Sequence, residues 1–237
     1  MESNMEKAVA RSSRYERKFA VSGLSGHSLK AAIKLHPAFF KEVYSPRQIN
    51  NIYLDTPRLK AFHDNTSGIS KRQKRRIRWY GPTFGEVDIS VLEYKIKLGM
   101  LGQKHSWQLA SFHLDRHFDK SSLTKLFEKS ELPDRVRKEL LRLSPKLLNT
   151  YYRTYYLSAD RNFRITIDEG LTYYQIRNYN NQFLKFHQKR GETVLELKYN
   201  AELDEQADEI TRHFKFRLTK SSKYVNGIYH NRPFIPS

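Results

Sequence analysis

The sequence predicts an α+β fold built on an antiparallel sheet or barrel. Three observations carry this. Nine segments rich in Tyr, Phe, Ile, Val or Thr read as strands. Only four segments have helical spacing. The two kinds do not alternate as parallel βαβ units would. At 237 residues with no cysteine, one large domain over 1–237 is the simplest organisation, with 1–13 as a flexible N-terminus. No internal repeat or low-complexity linker divides it.

In chain order, a strand over 14–21 precedes a helix over 25–35, where Leu29 and Ile33 stand four apart. Strands follow at 47–54, 74–80 and 87–97, with Asp55 ending the first and Thr56-Pro57 turning the chain. Gly99 and Gly102 in "KLGMLGQK" read as a turn into a strand over 104–110. Helices are predicted over 121–131, capped by Ser121 or Ser122, and over 134–143 after Pro133. Strands over 150–157, 162–168, 171–176 and 193–199 come next. An acidic helix over 202–214, containing "ELDEQADEI", reads as a solvated face.

Composition narrows the chemistry. A net charge of +18 and a pI near 9.9 point to an anionic partner. The absence of cysteine excludes disulfides, zinc thiolates and a catalytic thiol. Neither G-x-x-x-x-G-K-[ST] nor G-x-S-x-G occurs. No apolar run approaches the roughly 20 residues of a membrane helix. The N-terminus lacks a hydrophobic targeting core, and Glu2 and Glu6 argue against a transit peptide. The expectation is a soluble, cytoplasmic protein.

Side chains two apart share one face of a strand. Arg164, Thr166 and Asp168 oppose Phe163, Ile165 and Ile167; Arg76 and Arg78 oppose Ile77 and Trp79. Glu93, Lys95 and Lys97 oppose Leu92, Tyr94, Ile96 and Leu98, while Glu196 and Lys198 oppose Leu195, Leu197 and Tyr199. With Glu16 and Lys18, the charged faces hold seven bases and four acids. On a single strand such residues merely pair across neighbours, for about 0.2–1 kcal/mol. Over five strands, a second reading competes: apolar faces pack on helices, and charged faces gather around a polyanion. A buried basic lining is costly without a partner, and the acids can hold a hard divalent cation.

Eight motifs in order, "YERKFAV", "NIYLDTP", "KRRIRWYG", "LEYKIKLG", "YYRTYY", "RITIDEGL", "VLELKYN" and "KSSKYVNGIY", resemble the VTC-type polyphosphate polymerase domain, a branch of the triphosphate tunnel metalloenzymes. The match runs from about Tyr15 to Tyr229. The resemblance implies an antiparallel β-barrel tunnel with peripheral helices, lined by bases and holding Mn²⁺ or Mg²⁺ on acids. It assigns Lys18, Arg76, Arg78, Lys95, Arg164 and Lys198 to catalysis. Lys104, Tyr151, Arg153, Lys220, Ser222 and Lys223 become substrate contacts. Glu196 becomes the main metal ligand, with Glu16 and Asp168 as further candidates.

The implied activity transfers the γ-phosphoryl group of ATP to a growing inorganic polyphosphate chain. No nucleic-acid partner is expected. The chain itself reads as a stand-alone catalytic domain, which leaves room for a membrane partner. The hydrolytic branch begins E-x-E-x-K; here Arg14 replaces the first acid ahead of Glu16 and Lys18, which favours polymerase over hydrolase. Two alternatives remain: a tunnel-type triphosphatase, and a non-catalytic polyphosphate- or RNA-binding module using "KRQKRRIRWY". His113 and His117 in "HLDRH" have a zinc-like spacing on a helix, without a third ligand motif nearby. His105 reads as structural.

Overall fold

The computed structural model describes residues 14–98, 101–177, 181, 183, 186–188 and 191–231. The predicted flexible segment 1–13 and the turn residue Gly99 lie outside the described residues. In chain order the elements are β1 (Arg14–Ser22), α1 (Gly26–Lys34), β2 (Lys41–Asp55), α2 (Lys60–Thr66), β3 (Lys71–Tyr80), β4 (Gly85–Val87), β5 (Ser90–Leu98) and β6 (Leu101–Leu109). Then come β7 (Phe112–Leu114), α3 (Lys120–Lys129), α4 (Asp134–Leu140), β8 (Ser144–Leu157), β9 (Arg164–Gln175), β10 (Phe186–Gln188) and β11 (Glu192–Asn200). A 3₁₀ turn, α5 (Asp204–Arg212) and α6 (Lys223–Asn231) follow.

Nine strands form one sheet in the order β1-β11-β9-β8-β2-β3-β5-β6, with β10 on β9, and β4 pairs with β7. Every recorded strand register is antiparallel, as predicted. Closure is not: among the described residues the path ends at β1 and β6, so the closed barrel is corrected to an open antiparallel sheet. The two strands expected at 162–168 and 171–176 are one, β9. Gly170 sits inside it at φ 64, a conformation glycine adopts without a side-chain penalty, so the sequence break there is not a turn.

The chain divides into two compact units, each assembled from separate stretches of sequence. Unit 1 holds Met1–Arg47, Tyr152–Leu171 and Lys189–Ser221; unit 2 holds Gln48–Tyr151, Thr172–Gln188 and Ser222–Ser237.

In unit 1 the apolar faces of β1, β9 and β11 supply Phe19, Ile165, Ile167, Leu195 and Leu197 to a core closed by helices. Leu29 and Ile33 enter it from α1, at the predicted spacing of four, and Ala207 and Ile210 enter from α5. Ser25 starts α1 by accepting the Ser28 amide N–H at 3.1 Å. The acidic helix does more than face water. Arg17 donates to Asp204 at 2.7 Å and to Asp208 at 2.6 Å, which ties α5 to β1.

In unit 2, Ile52, Leu54, Ile77, Trp79 and Leu92 from β2, β3 and β5 pack with Leu123, Leu126 and Phe127 of α3 and Leu140 of α4. Asp119, not Ser121 or Ser122, caps α3, accepting the Ser122 amide N–H at 2.8 Å. In both units, then, alternation sends every second side chain to a helix-covered core and the residues between to the charged face.

Candidate functional site

Strand register turns the repeated acid-x-base pattern into contacts. In unit 1, Glu16 stands opposite Lys198 and Lys18 opposite Glu196 across the β1–β11 pair. Glu196 is 3% exposed, and its carboxylate meets three cations: Lys18 Nζ at 3.2 Å, Lys198 Nζ at 3.0 Å and Arg153 Nη2 at 3.4 Å. Glu16 lies 3.4 Å from the same Lys18 and 3.7 Å from the same Lys198. Arg153 reaches from β8 and grips Asp168, 0% exposed, with a two-pronged contact of 2.5 and 2.6 Å. Three carboxylates and three cations thus share one knot. Such pairing is what allows buried charge to be tolerated.

In unit 2 the register sets Arg76 opposite Glu93 and Tyr53 opposite Arg76. Here Glu93 is the hub. Arg76 donates to it from Nε at 2.7 Å and Nη2 at 2.6 Å, Lys104 approaches at 2.6 Å, and Arg78 stands at 3.8 Å. Burial pushes the Glu93 carboxyl up, but Arg76, Arg78 and Lys104 together outweigh it and hold it at about 2. Arg78 is aimed by Asn51, whose Oδ1 accepts from Nε at 3.0 Å, and reaches the Tyr151 hydroxyl at 3.5 Å. Asn51 in turn donates to Asn149 at 3.4 Å. Lys74 donates to Ser222 at 2.9 Å, and Lys223 lies 4.9 Å over the Tyr151 ring.

The predicted residues therefore sort into two groups. Glu16, Lys18, Arg153, Asp168, Glu196 and Lys198 meet in unit 1; Arg76, Arg78, Lys104, Tyr151, Ser222 and Lys223 meet in unit 2. Three others lie at exposed positions. Arg164 pairs with Lys198 in register but is exposed, Lys95 is exposed beside Lys74 and Lys104 in register, and Lys220 is exposed outside the named elements.

Sequence reasoning missed Glu93 as a hub and missed Asn51 and Asn149 altogether. The signal for the asparagines was present: buried polar side chains within apolar strands need partners. His113 lies in strand β7, and its Nδ1 contacts Glu86 at 2.7 Å, so the zinc-like helical spacing with His117, already without a third ligand, has no helix to carry it. His105 stacks on Trp107 with centroids 6.1 Å apart.

Glu16 and Glu196 already converge on the same two ammonium groups, so both carboxylates reach one cationic position. Mg²⁺ characteristically uses one or two carboxylates and completes its shell with water and substrate phosphate. Glu16 and Glu196, whose cation contacts are 3.0–3.7 Å, fit that pattern; Asp168, with both oxygens held by Arg153 at 2.5 and 2.6 Å, does not. Among the described residues no three acidic or histidine side chains form a metal-holding group by themselves.

The VTC domain model matches residues 13–230 of this chain. A search of curated proteins finds no match. Among solved structures, a proposed adenylate cyclase from Vibrio parahaemolyticus aligns with a TM-score of 0.51 at 11% identity, covering 90% of this chain and 97% of that one. A proposed adenylyl cyclase from Hippeastrum, described as having a dominant triphosphatase activity, aligns at 0.49 and 15% identity, covering 90% and 95%. A Pyrococcus horikoshii OT3 protein aligns at 0.49 and 12%, covering 90% and 97%. The likeness at a TM-score of 0.51 is one of fold.

Proposed function

This chain belongs to the VTC domain family, and from that premise we propose that it is a polyphosphate polymerase, acting as a single catalytic domain that extends inorganic polyphosphate with the γ-phosphoryl group of ATP. The observation that carries this reading is the Glu93 cluster. Arg76, Arg78 and Lys104 converge on one carboxylate, an excess of fixed cations over acid. Guanidinium forks match phosphate oxygens in geometry, and charge-assisted bonds of this kind are strong.

Phosphoryl transfer asks for alignment and charge neutralisation more than covalent help from the protein. Arg76, Arg78 and Lys104 hold the triphosphate, with Lys95, Tyr151, Ser222 and Lys223 extending the contact surface. Lys18 and Lys198 stay beside Glu16 and Glu196 and Arg153 stays on Asp168, which keeps the metal-facing carboxylates in place, and Arg164 and Lys220 contribute at exposed positions. A terminal phosphate oxygen of the growing chain attacks the γ-phosphorus, the bond to the β-phosphate bridging oxygen breaks, and ADP leaves. The attacking oxygen is already anionic near neutral pH, so no strong general base is required. Glu196 and Glu16 would hold Mg²⁺ or Mn²⁺, which when bound supplies neutralisation of phosphate charge.

Incubation with ATP and Mn²⁺ or Mg²⁺, followed by a polyphosphate gel and an ADP assay, tests the proposal. Long chains with stoichiometric ADP support it. ADP with orthophosphate alone would instead identify a triphosphatase, in which water replaces the phosphate chain as acceptor. Binding without turnover in either metal would reduce the protein to a polyphosphate-binding module.

A further inference from the structure

Asp55 ends β2 and is 1% exposed, yet no step above uses it. Its carboxylate accepts four hydrogen bonds. Three come from backbone N–H groups: Thr56 at 2.7 Å, Ala61 at 3.0 Å and Phe62 at 3.1 Å, the last two in the first turn of α2. The fourth comes from a residue 169 positions away, the Tyr224 hydroxyl at 2.6 Å. Three amides already satisfy most of what a buried carboxylate needs. The tyrosine bond therefore contributes something besides neutralising Asp55: it fixes the first turn of α6.

That turn and the residue before it carry two groups that the proposed function assigns to the phosphate. Lys223, adjacent to Tyr224, lies over the Tyr151 ring, and Ser222 accepts from Lys74. The Tyr224 ring also stacks on Tyr53, centroids 5.1 Å apart, and Tyr53 stands opposite Arg76. One turn on, Gly227 is pressed against the sheet: a Cβ there would come within 2.3 Å of Leu147 and 2.7 Å of Tyr173. The helix is seated without clearance at one point and tethered by a charge-assisted bond at another.

We propose that Asp55 and Tyr224 are positioning residues that latch α6 so that Lys223 and Ser222 face the anion held by the Glu93 cluster. This rests on reading that cluster as the phosphate site. Neither latch residue touches the phosphate; each acts through the placement of Lys223 and Ser222. Tyr224→Phe is the discriminating variant, because it removes only the hydroxyl, keeps the ring on Tyr53 and leaves Asp55 with its three amide donors.

The experiment is a double-mutant cycle on the full chain, read as metal-free tripolyphosphate affinity by calorimetry. A thermal melt confirms that each variant is folded. Lys223→Ala and Tyr224→Phe are each expected to weaken binding by about five- to tenfold, the scale of one charge-assisted hydrogen bond partly screened by water. The double variant should lose little more than the worse single one, because an unlatched Lys223 is already misplaced. Tyr224→Phe should also lower the slope of log affinity against log salt, as deleting one cationic contact does; a purely structural role would leave that slope unchanged. Parental affinity and slope in Tyr224→Phe, or losses that multiply in the double variant, would overturn the latch while leaving the phosphate site standing. A parent that binds no tripolyphosphate would overturn the phosphate site and the latch with it.

Discussion

The knot around Glu196 and the cluster around Glu93 use the same parts to different ends. Both arise from strands in which acid and base alternate with apolar residues, and both put a carboxylate under 5% exposed among three cations. In unit 1 those cations are shared with two more acids, Glu16 and Asp168, and the charges named in its ion pairs balance. In unit 2, among the described residues, the acid that the three cations pair with is Glu93. The count of acids per base decides the chemistry. A balanced knot is stable as it stands and offers carboxylates to a metal; an unbalanced one gains when a polyanion arrives.

The largest expected effect separates the two on stability. Arg153→Ala strands Asp168, 0% exposed, without its guanidinium. Removing one partner of a buried pair costs about 3–5 kcal/mol, measured as a fall in urea midpoint with unchanged m. A loss below about 1 kcal/mol would mean the knot is not a structural pair.

Next comes acid. Glu93 is held at about 2 against an ordinary 4.5, so it binds fewer protons folded than unfolded. Its stabilising contribution, about 3 kcal/mol, is complete above the ordinary value and drains away as pH falls towards 2. Urea titrations between these limits should show the loss in the parent and a flatter profile in Glu93→Gln. Parallel profiles would remove Glu93 from its place as the hub.

The catalytic comparison is of similar size. Glu196→Gln keeps shape and removes charge, so metal-dependent ADP release should fall about a hundredfold or more. Near-normal release would end the metal-site assignment. Arg164→Ala should change tripolyphosphate affinity least, by less than about 1 kcal/mol, since an exposed charge is screened by water and salt. A tenfold loss there would show that the site extends to Arg164.

The two clusters also differ in how far the sequence disclosed them. The period of two assigned Glu16, Lys18, Glu196 and Lys198 to one face, and register then made them neighbours. What could not be read was which acid meets which base, because that depends on pairing across strands distant in sequence. Glu93 became a hub only through its registration with Arg76. Asn51 and Asn149 were passed over, and Asp55 was read only as the end of a strand. Two helices escaped entirely. In α2, Leu59 precedes the helix at φ 55, a conformation that no local preference announces. In α6, Asn226-Gly227 is a dipeptide that ordinarily favours a turn, although at Gly227 a Cβ would run into Leu147 and Tyr173. The first half of β8 was hidden by Pro145, a residue that ordinarily argues against a strand.

The division of labour is tested most directly by titrating tripolyphosphate into metal-free Arg76→Ala and Glu196→Gln side by side at physiological salt. Arg76→Ala should lose about 1.5–3 kcal/mol of affinity, the value of a charge-assisted contact. Glu196→Gln should bind as the parent does or more tightly, because one anion has been removed beside Lys18 and Lys198. Unchanged affinity in Arg76→Ala, or weaker binding in Glu196→Gln, would contradict the account.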